Sequence, residues 1–132
     1  MASRVTLDLN PKFTFLSPVS STMSGKQQLA EQVDHAIIAL DRRAPLGGDC
    51  RLELLEPVRD AEVLRIELWV NDLDDYTCTY GFVVSSEDGR VPHARGERLV
   101  VNVDPSTHRA AKWSSAFRVS HSELLKDLPS LA

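Results

Sequence analysis

A long β-hairpin is predicted between residues 76 and 104, and the rest of the chain must fold around it. Two runs of alternating apolar residues flank a turn, the first being Tyr76, Cys78, Tyr80, Phe82 and Val84 and the second Leu99, Val101 and Val103. A period of two places successive side chains on opposite faces of a sheet. Between the runs, Asp88-Gly89 supplies turn residues, because glycine adopts positive φ without a Cβ clash. The stretch therefore predicts two antiparallel strands.

One long helix is predicted from Lys26 to Arg42. Its apolar residues recur at helical spacing and form a single stripe, which consists of Leu29, Val33, Ala36, Ile37 and Leu40. Ser24 is a candidate N-cap, and the residues from Leu16 to Gly25 are predicted to form a loop. A capping-box match at Ser120 and Glu123 predicts a short helix that ends before Pro129.

Three further segments show the alternation of strands. They are Val5 to Leu9, with Phe13 and Phe15 as a possible continuation, Cys50 to Leu54, and Leu64 to Val70. Half-buried alternating strands favour an antiparallel sheet over a parallel one. The predicted fold class is therefore α+β, an antiparallel sheet with one helix packed on one face, in a single domain that spans residues 1–132. Its open edges predict pairing with a second copy.

Charge and composition exclude several partners. The net charge is −4, so there is no basic field for nucleic acid. Neither a signal segment nor about 18 consecutive apolar residues occur, which predicts a cytoplasmic protein without a membrane partner. Cys50 and Cys78 fall in strand patterns and are predicted to be buried, inert thiols. His93 and His108 lack metal-ligand spacing, so neither a metal nor another cofactor is expected.

The residues around the hairpin resemble a known family. Asp88-Gly89, Ala94-Arg95-Gly96 and Asp104-Pro105-Ser106-Thr107 occur in the order found in the C-terminal half of hot-dog-fold acyl-CoA thioesterases, which include the 4-hydroxybenzoyl-CoA thioesterase-like proteins. The resemblance implies an antiparallel sheet of five to six strands wrapped around one central helix. It also implies a homodimer or homotetramer with sites at the subunit interface, acting on acyl-CoA or acyl-carrier-protein thioesters.

Thioester hydrolysis needs a carboxylate and N–H donors for the oxyanion. Glu31 and Asp34 lie on neighbouring parts of one helix face, off the apolar stripe, and this face can equally be an ordinary solvated one. One branch of the family carries its acid on the central helix after a glycine pair. Asp34 after Gly25 is similar to that pattern and becomes the catalytic candidate, with Glu31 as the second.

The helix start supplies the candidate oxyanion donors, at Ser24, Gly25 and Lys26. Another branch of the family has an acidic loop with a histidine and two asparagines before the helix. The corresponding residues 20–28 keep the glycine but lack those groups, so the mechanism of that branch does not transfer to this chain.

A CoA ligand also needs cations for its phosphates. Arg90, His93 and Arg95, with Arg98 nearby, are the candidates because they cluster near the hairpin turn, although they can equally be charges on a solvated hairpin end. Trp69 and Trp113 can line an acyl pocket or serve the core.

Three functions therefore remain open. The first is an acyl-thioester hydrolase. The second is a non-catalytic module that binds a hydrophobic acyl ligand or a partner protein. The third is an enoyl-thioester hydratase on the same scaffold, for which His35 is the candidate acid or base.

Overall fold

The computed structural model describes residues 11–19, 25–59 and 62–126. Their elements are β1 (Phe13–Val19), α1 (Lys26–Asp41), β2 (Cys50–Leu54), β3 (Glu62–Leu73), β4 (Thr77–Ser86), β5 (Pro92–Val101) and α2 (Ser115–Ser122). The predicted hairpin is confirmed as β4 and β5, although β5 already begins at Pro92 and Val103, expected in the second strand, lies beyond its end at Val101. The predicted helix is confirmed as α1, which ends where Arg42 takes a left-handed φ of 64°. The α+β class is confirmed as well.

The five strands form one antiparallel sheet in the order β1-β3-β4-β5-β2. Strands β1 and β2 are its edges, so β2 pairs with β5 on one side only. Gly96 of β5 faces Leu52 of β2, and a Cβ on Gly96 would lie 1.8 Å from the carbonyl oxygen of Arg51. Only glycine therefore allows the two backbones to approach this closely.

The core lies between one face of the sheet and α1. The sheet contributes alternate residues of β3 and β4, which are Leu64, Ile66, Leu68, Val70, Cys78, Tyr80, Phe82 and Val84. The helix contributes the predicted stripe, of which Leu29, Val33, Ala36 and Ile37 are buried. Each fully buried large apolar side chain contributes about 1.5–3 kcal/mol relative to an exposed one. Burial of this stripe is thus the main force that holds α1 on the sheet.

Strand β1 extends to Val19, although a loop was expected from Leu16. Pro18 is tolerated there because β1 is an edge strand, where a missing N–H is less costly. The expected strand from Val5 to Leu9 lies outside the described residues.

The C-terminal helix starts earlier than its capping box predicted. Ser114 caps it, since its Oγ accepts a hydrogen bond from the Phe117 N–H at 3.1 Å. Ser120 lies inside the helix, and its hydroxyl donates to the Phe117 carbonyl. The predicted cap at Ser120 is therefore wrong.

The two cysteines differ in their surroundings. Cys78 is buried as expected, but Cys50 is exposed, because it begins edge strand β2. Burial, with the Asp41 carboxylate as a further cause, raises the pKa of the Cys78 thiol from 9.0 to about 12. Across the described part of the chain, no helix has the length and apolar character that a membrane crossing requires.

Candidate active site

A cleft of about 450 Å³ lies between the first half of α1 and edge strand β2. It is lined by Lys26, Gln27, Ala30, Cys50, Arg51 and Leu52. The cleft is therefore bordered by the start of the helix on one side and by an open sheet edge on the other.

Asp34 lies one helical turn beyond Ala30 on the same face of α1. Its Oδ1 accepts a hydrogen bond from Nε of Arg98 at 3.1 Å. The side chain of Arg98 is 11% exposed, whereas that of Asp34 is 36% exposed. Among the residues that the structure describes, no group donates to Oδ2 of Asp34. One carboxylate oxygen is thus fixed, and no donor from the described residues occupies the other.

Arg98 is held in place by its own backbone surroundings. Its Nη1 donates to the carbonyl oxygens of Gly47 at 2.6 Å and Leu99 at 2.5 Å. Arg98 also faces Cys50 across the β2–β5 pairing, so the residue that orients Asp34 is itself part of the sheet. From the sequence, Arg98 is grouped with the candidate contacts for CoA phosphates near the hairpin turn. Its contact with Asp34 could not be predicted, because the two residues are 64 positions apart.

The start of α1 offers backbone donors at the other end of the same face. Gly25 is the N-cap residue, and its N–H donates to Oε1 of Gln28 at 3.2 Å. Gly25 has no side-chain oxygen to cap Lys26 and the residues after it. The backbone N–H groups of the first turn of α1, which begins at Lys26, lie at the positive end of the helix dipole, and this position favours an oxyanion. Ser24 lies outside the described residues.

The remaining predicted site residues are placed apart from each other. Glu31 and His35 are exposed on α1. Arg90 is 86% exposed beside Asp88 in the hairpin turn. Arg95 forms an ion pair with Glu53 at 2.8 Å and borders a different cleft of about 520 Å³, on the sheet face opposite α1.

His93 is buried and connects the hairpin to the segment that follows β2. Its Nδ1 lies 2.7 Å from the carbonyl oxygen of Glu56, and its Nε2 lies 3.2 Å from Oε1 of Glu62. Arg90, His93 and Arg95 therefore do not converge on one point in this chain.

Sequence reasoning missed a buried polar network at the far end of α1. Asp41 Oδ1 lies 2.8 Å from Nε2 of His121, and Asp41 Oδ2 accepts a hydrogen bond from the Tyr80 hydroxyl at 2.5 Å. The same hydroxyl is 2.8 Å from Nε2 of His121. Burial, with the nearby Cys78 and Asp41 as further causes, raises the pKa of Tyr80 well above its usual value. No local pattern could reveal this network, because its members lie on α1, β4 and α2.

No metal site is formed by the part of the chain that the structure describes. Groups of three or more histidine, cysteine, aspartate or glutamate side chains with suitable geometry do not occur in these residues. The polar lining of the cleft comes from Lys26, Gln27, Cys50 and Arg51, and the Asp34–Arg98 pair lies one helical turn beyond it.

Comparison with known proteins identifies the fold. Neither a protein-family model nor a curated protein matches this sequence. Solved structures do match, and one from Pseudomonas aeruginosa has a TM-score of 0.74 at 16% identity, covering 89% of this chain and 99% of that one.

Two other structures carry functional descriptions. A Staphylococcus aureus protein in complex with CoA has a TM-score of 0.70 at 14% identity and covers 97% of this chain and 92% of its own. A 1,4-dihydroxy-2-naphthoyl-CoA thioesterase from Synechocystis has a TM-score of 0.69 at 11% identity, covering 86% and 98%. At these identities the similarity establishes the architecture, and the strand order around α1 agrees with it. The protein therefore has the hot-dog fold.

Proposed function

We propose that the protein is an acyl-thioester hydrolase in which Asp34 is the base or nucleophile. The observation that carries this proposal is a carboxylate one helical turn beyond a cleft, whose Oδ1 is fixed by Arg98 and whose Oδ2 has no donor among the described residues. The hot-dog structures that it resembles include a protein bound to CoA and a CoA thioesterase. Acyl-CoA is accordingly the preferred substrate, and an acyl-carrier-protein thioester is the second choice.

The proposed reaction follows from the carboxylate. As a base, Asp34 takes a proton from water while the water oxygen attacks the thioester carbonyl, which forms a tetrahedral oxyanion. The oxyanion then collapses, the carbon–sulfur bond breaks, and the leaving thiolate takes up the proton. As a nucleophile, the Asp34 carboxylate would instead attack the thioester carbonyl, the carbon–sulfur bond would break with release of the thiolate, and water would hydrolyse the resulting mixed anhydride to the free acid and Asp34. Both routes yield a free acid and a free thiol.

The start of α1 lies too far from the Asp34 of the same chain to supply its oxyanion donors. Lys26 and Asp34 are eight residues apart, which corresponds to about 12 Å along an α-helix. A carbonyl carbon within reach of Asp34 lies too far from the N–H groups at the start of the same helix, because these hydrogen bonds need about 2.7–3.1 Å. A second copy can supply them, so we propose that the helix start around Gly25 and Lys26 serves the Asp34 of a partner subunit.

Edge strand β2 is the proposed contact between the copies. No other strand of the described chain pairs with its outer edge, and such edges are commonly covered by association. Pairing β2 with a second β2 would bring two clefts next to each other. A homodimer is thus the smallest assembly that completes the proposed site, and a homotetramer would contain two such pairs.

Arg90 and Arg95 remain proposed contacts for the CoA phosphates, whereas His93 is too buried to reach a ligand without leaving Glu56 and Glu62. Arg90 is the better of the two, because its guanidinium is exposed and its only ion-pair neighbour among the described residues is Asp88 at 3.7 Å.

Thiol release from a panel of acyl-CoAs tests the proposal. Short, medium, long and aromatic acyl groups are compared for the unmodified protein, for Asp34→Asn and for Glu31→Gln, which alters an exposed carboxylate on the same helix face. Asp34→Asn should lower turnover at least ~10²-fold, and Glu31→Gln should leave it nearly unchanged. Equal effects of both substitutions would refute the role of Asp34.

A second candidate function is the binding of an acyl ligand without turnover. The Arg98–Asp34 ion pair favours this alternative, because a carboxylate that serves only to hold Arg98 in place would make the same contact through Oδ1. It predicts that acyl-CoA stabilises the protein against unfolding while no thiol is released. The hydratase alternative predicts loss of the enoyl double bond without thiol release.

A further inference from the structure

We propose a second ligand site, for an amphiphile with a carboxylate head, in a cavity between the end of α1 and α2. The cavity, which we call the α1–α2 cavity, has a volume of about 600 Å³. Its polar lining includes Asp41, Arg43, Asn102, Lys112 and His121, and its apolar lining includes Trp113 and Phe117. Asp41 lies eleven residues beyond Ala30, which is about 16 Å along the helix from the candidate active-site cleft.

The charge of this cavity is unbalanced in favour of cations. Its one acid, Asp41, is already paired with His121 at 2.8 Å and bonded to Tyr80. Within residues 11–19, 25–59 and 62–126, no carboxylate forms an ion pair with Arg43 or Lys112. Two positive charges therefore outnumber the one carboxylate of the cavity, and a singly charged anion is the ligand that would balance the excess.

Arg43 is positioned before any ligand arrives. Its Nη2 donates to Oδ1 of Asn102, and its guanidinium lies 5.4 Å from the ring centre of Trp113. Asn102 is buried and is itself fixed, since its Nδ2 donates to the carbonyl oxygens of Ala111 at 2.9 Å and Lys112 at 3.1 Å. This arrangement lowers the ordering cost that a flexible arginine would otherwise pay on binding. The remaining N–H groups of Arg43 suit a planar carboxylate.

The apolar part of the ligand also has a place. A row of stacked rings forms one wall, with Trp113 and Phe117 3.8 Å apart and Phe117 and His121 3.6 Å apart. A second cavity of about 250 Å³ shares Asp41, Arg43 and Trp113 with the first. Its other lining residues are largely apolar and include Pro45, Leu46, Val100 and Val103. A ligand whose carboxylate binds Arg43 and Lys112 would thus place its short hydrocarbon tail against the apolar lining of these two cavities.

A carboxylate fits better than a doubly charged phosphate. The Asp41 carboxylate lines the same cavity, so a second negative charge on the ligand would be repelled by it. A linear acid of about eight carbons is small enough for the combined volume and offers one planar, singly charged head. Octanoate is therefore the probe, with 1-octanol as the uncharged and octyl phosphate as the doubly charged comparison.

Trp113 can report binding directly. The chain has two tryptophans, and Trp69→Phe leaves Trp113 as the only one. A carboxylate that binds to Arg43, whose guanidinium lies 5.4 Å from the ring centre of Trp113, should change the emission of Trp113. In this background octanoate should bind and 1-octanol should not. Arg43→Gln and Lys112→Gln should each weaken binding about tenfold or more, because each removes a charge-assisted hydrogen bond.

Two further variants separate this site from the proposed active site. Arg42→Gln removes a neighbouring exposed arginine that does not line the cavity, and it should leave octanoate affinity unchanged. Asp34→Asn should also leave it unchanged, whether or not it affects thioester turnover. The proposal would be overturned if octanoate affinity fell with Asp34→Asn but not with Arg43→Gln. Tighter binding of octyl phosphate than of octanoate would overturn the assignment of a carboxylate head.

Discussion

Replacing Asp41 by alanine should destabilise the protein, although every local effect on α1 favours the substitution. Alanine has the higher helix propensity, by roughly 0.5 kcal/mol. Asp41 is the last residue of α1, where the negative end of the helix dipole disfavours a carboxylate by about 0.3–1 kcal/mol. Taken alone, these terms predict a gain of about 1 kcal/mol.

The buried network predicts a larger loss. The side chains of Asp41 and His121 are 5% and 3% exposed, and Asp41→Ala removes the group that both His121 and the Tyr80 hydroxyl contact. Leaving a buried polar group without its partner costs about 1–3 kcal/mol, and Asp41→Ala does this to both the Tyr80 hydroxyl and His121. After the local gain of about 1 kcal/mol is subtracted, the net change should be a loss of roughly 1–5 kcal/mol, against the 5–15 kcal/mol that a domain of this size usually has.

Equilibrium unfolding in urea, followed by circular dichroism, measures this loss. Glu31→Ala is the matched control, because it removes an exposed helical carboxylate and should change the unfolding free energy by no more than about 0.5 kcal/mol. Tyr80→Phe, which removes only the hydroxyl, should show an intermediate loss. A gain in stability for Asp41→Ala, or a loss no larger than that of Glu31→Ala, would refute the argument that Asp41, Tyr80 and His121 form a buried network.

Two other predictions concern the sheet and the thiols. Gly96→Ala should lower the free energy of unfolding by about 1–3 kcal/mol through overpacking, because its Cβ would lie 1.8 Å from the Arg51 carbonyl oxygen. Urea unfolding measures this loss. An unchanged unfolding midpoint would contradict the close pairing of β2 and β5. The raised pKa of Cys78, about 12, keeps it a protonated thiol at pH 8. A disulfide reagent should therefore label at most Cys50 in the folded protein and both cysteines in urea, whereas two fast-reacting thiols before unfolding would be the contradictory result.

Local sequence patterns predicted much of the fold because they follow from burial on one face. The alternation in β4 and the stripe on α1 both reflect contact with a single apolar layer. The sequence patterns gave wrong predictions at the edge strands, where a residue at an apolar position of the pattern is not covered by the core. Cys50 alternates correctly but begins an edge strand. The loop was predicted to begin too early, at Leu16, because an edge strand tolerates Pro18 and β1 continues to Val19.

The site was predictable only in part, for a related reason. Asp34 could be proposed from its place on the helix and from a family pattern. Its partner Arg98 is 64 positions away, and His121 is 80 positions from Asp41. Such contacts depend on the tertiary arrangement of α1, β5 and α2, which no local periodicity specifies.

The rate at which the Asp34→Asn variant hydrolyses an acyl-CoA thioester is the most direct test of the proposed chemistry. It is measured as thiol release at saturating acyl-CoA, with the best substrate of the unmodified protein and with folding of the variant checked by circular dichroism. The proposed role predicts that kcat falls at least ~10²-fold while Glu31→Gln keeps nearly full activity. Full activity of a correctly folded Asp34→Asn variant would contradict it.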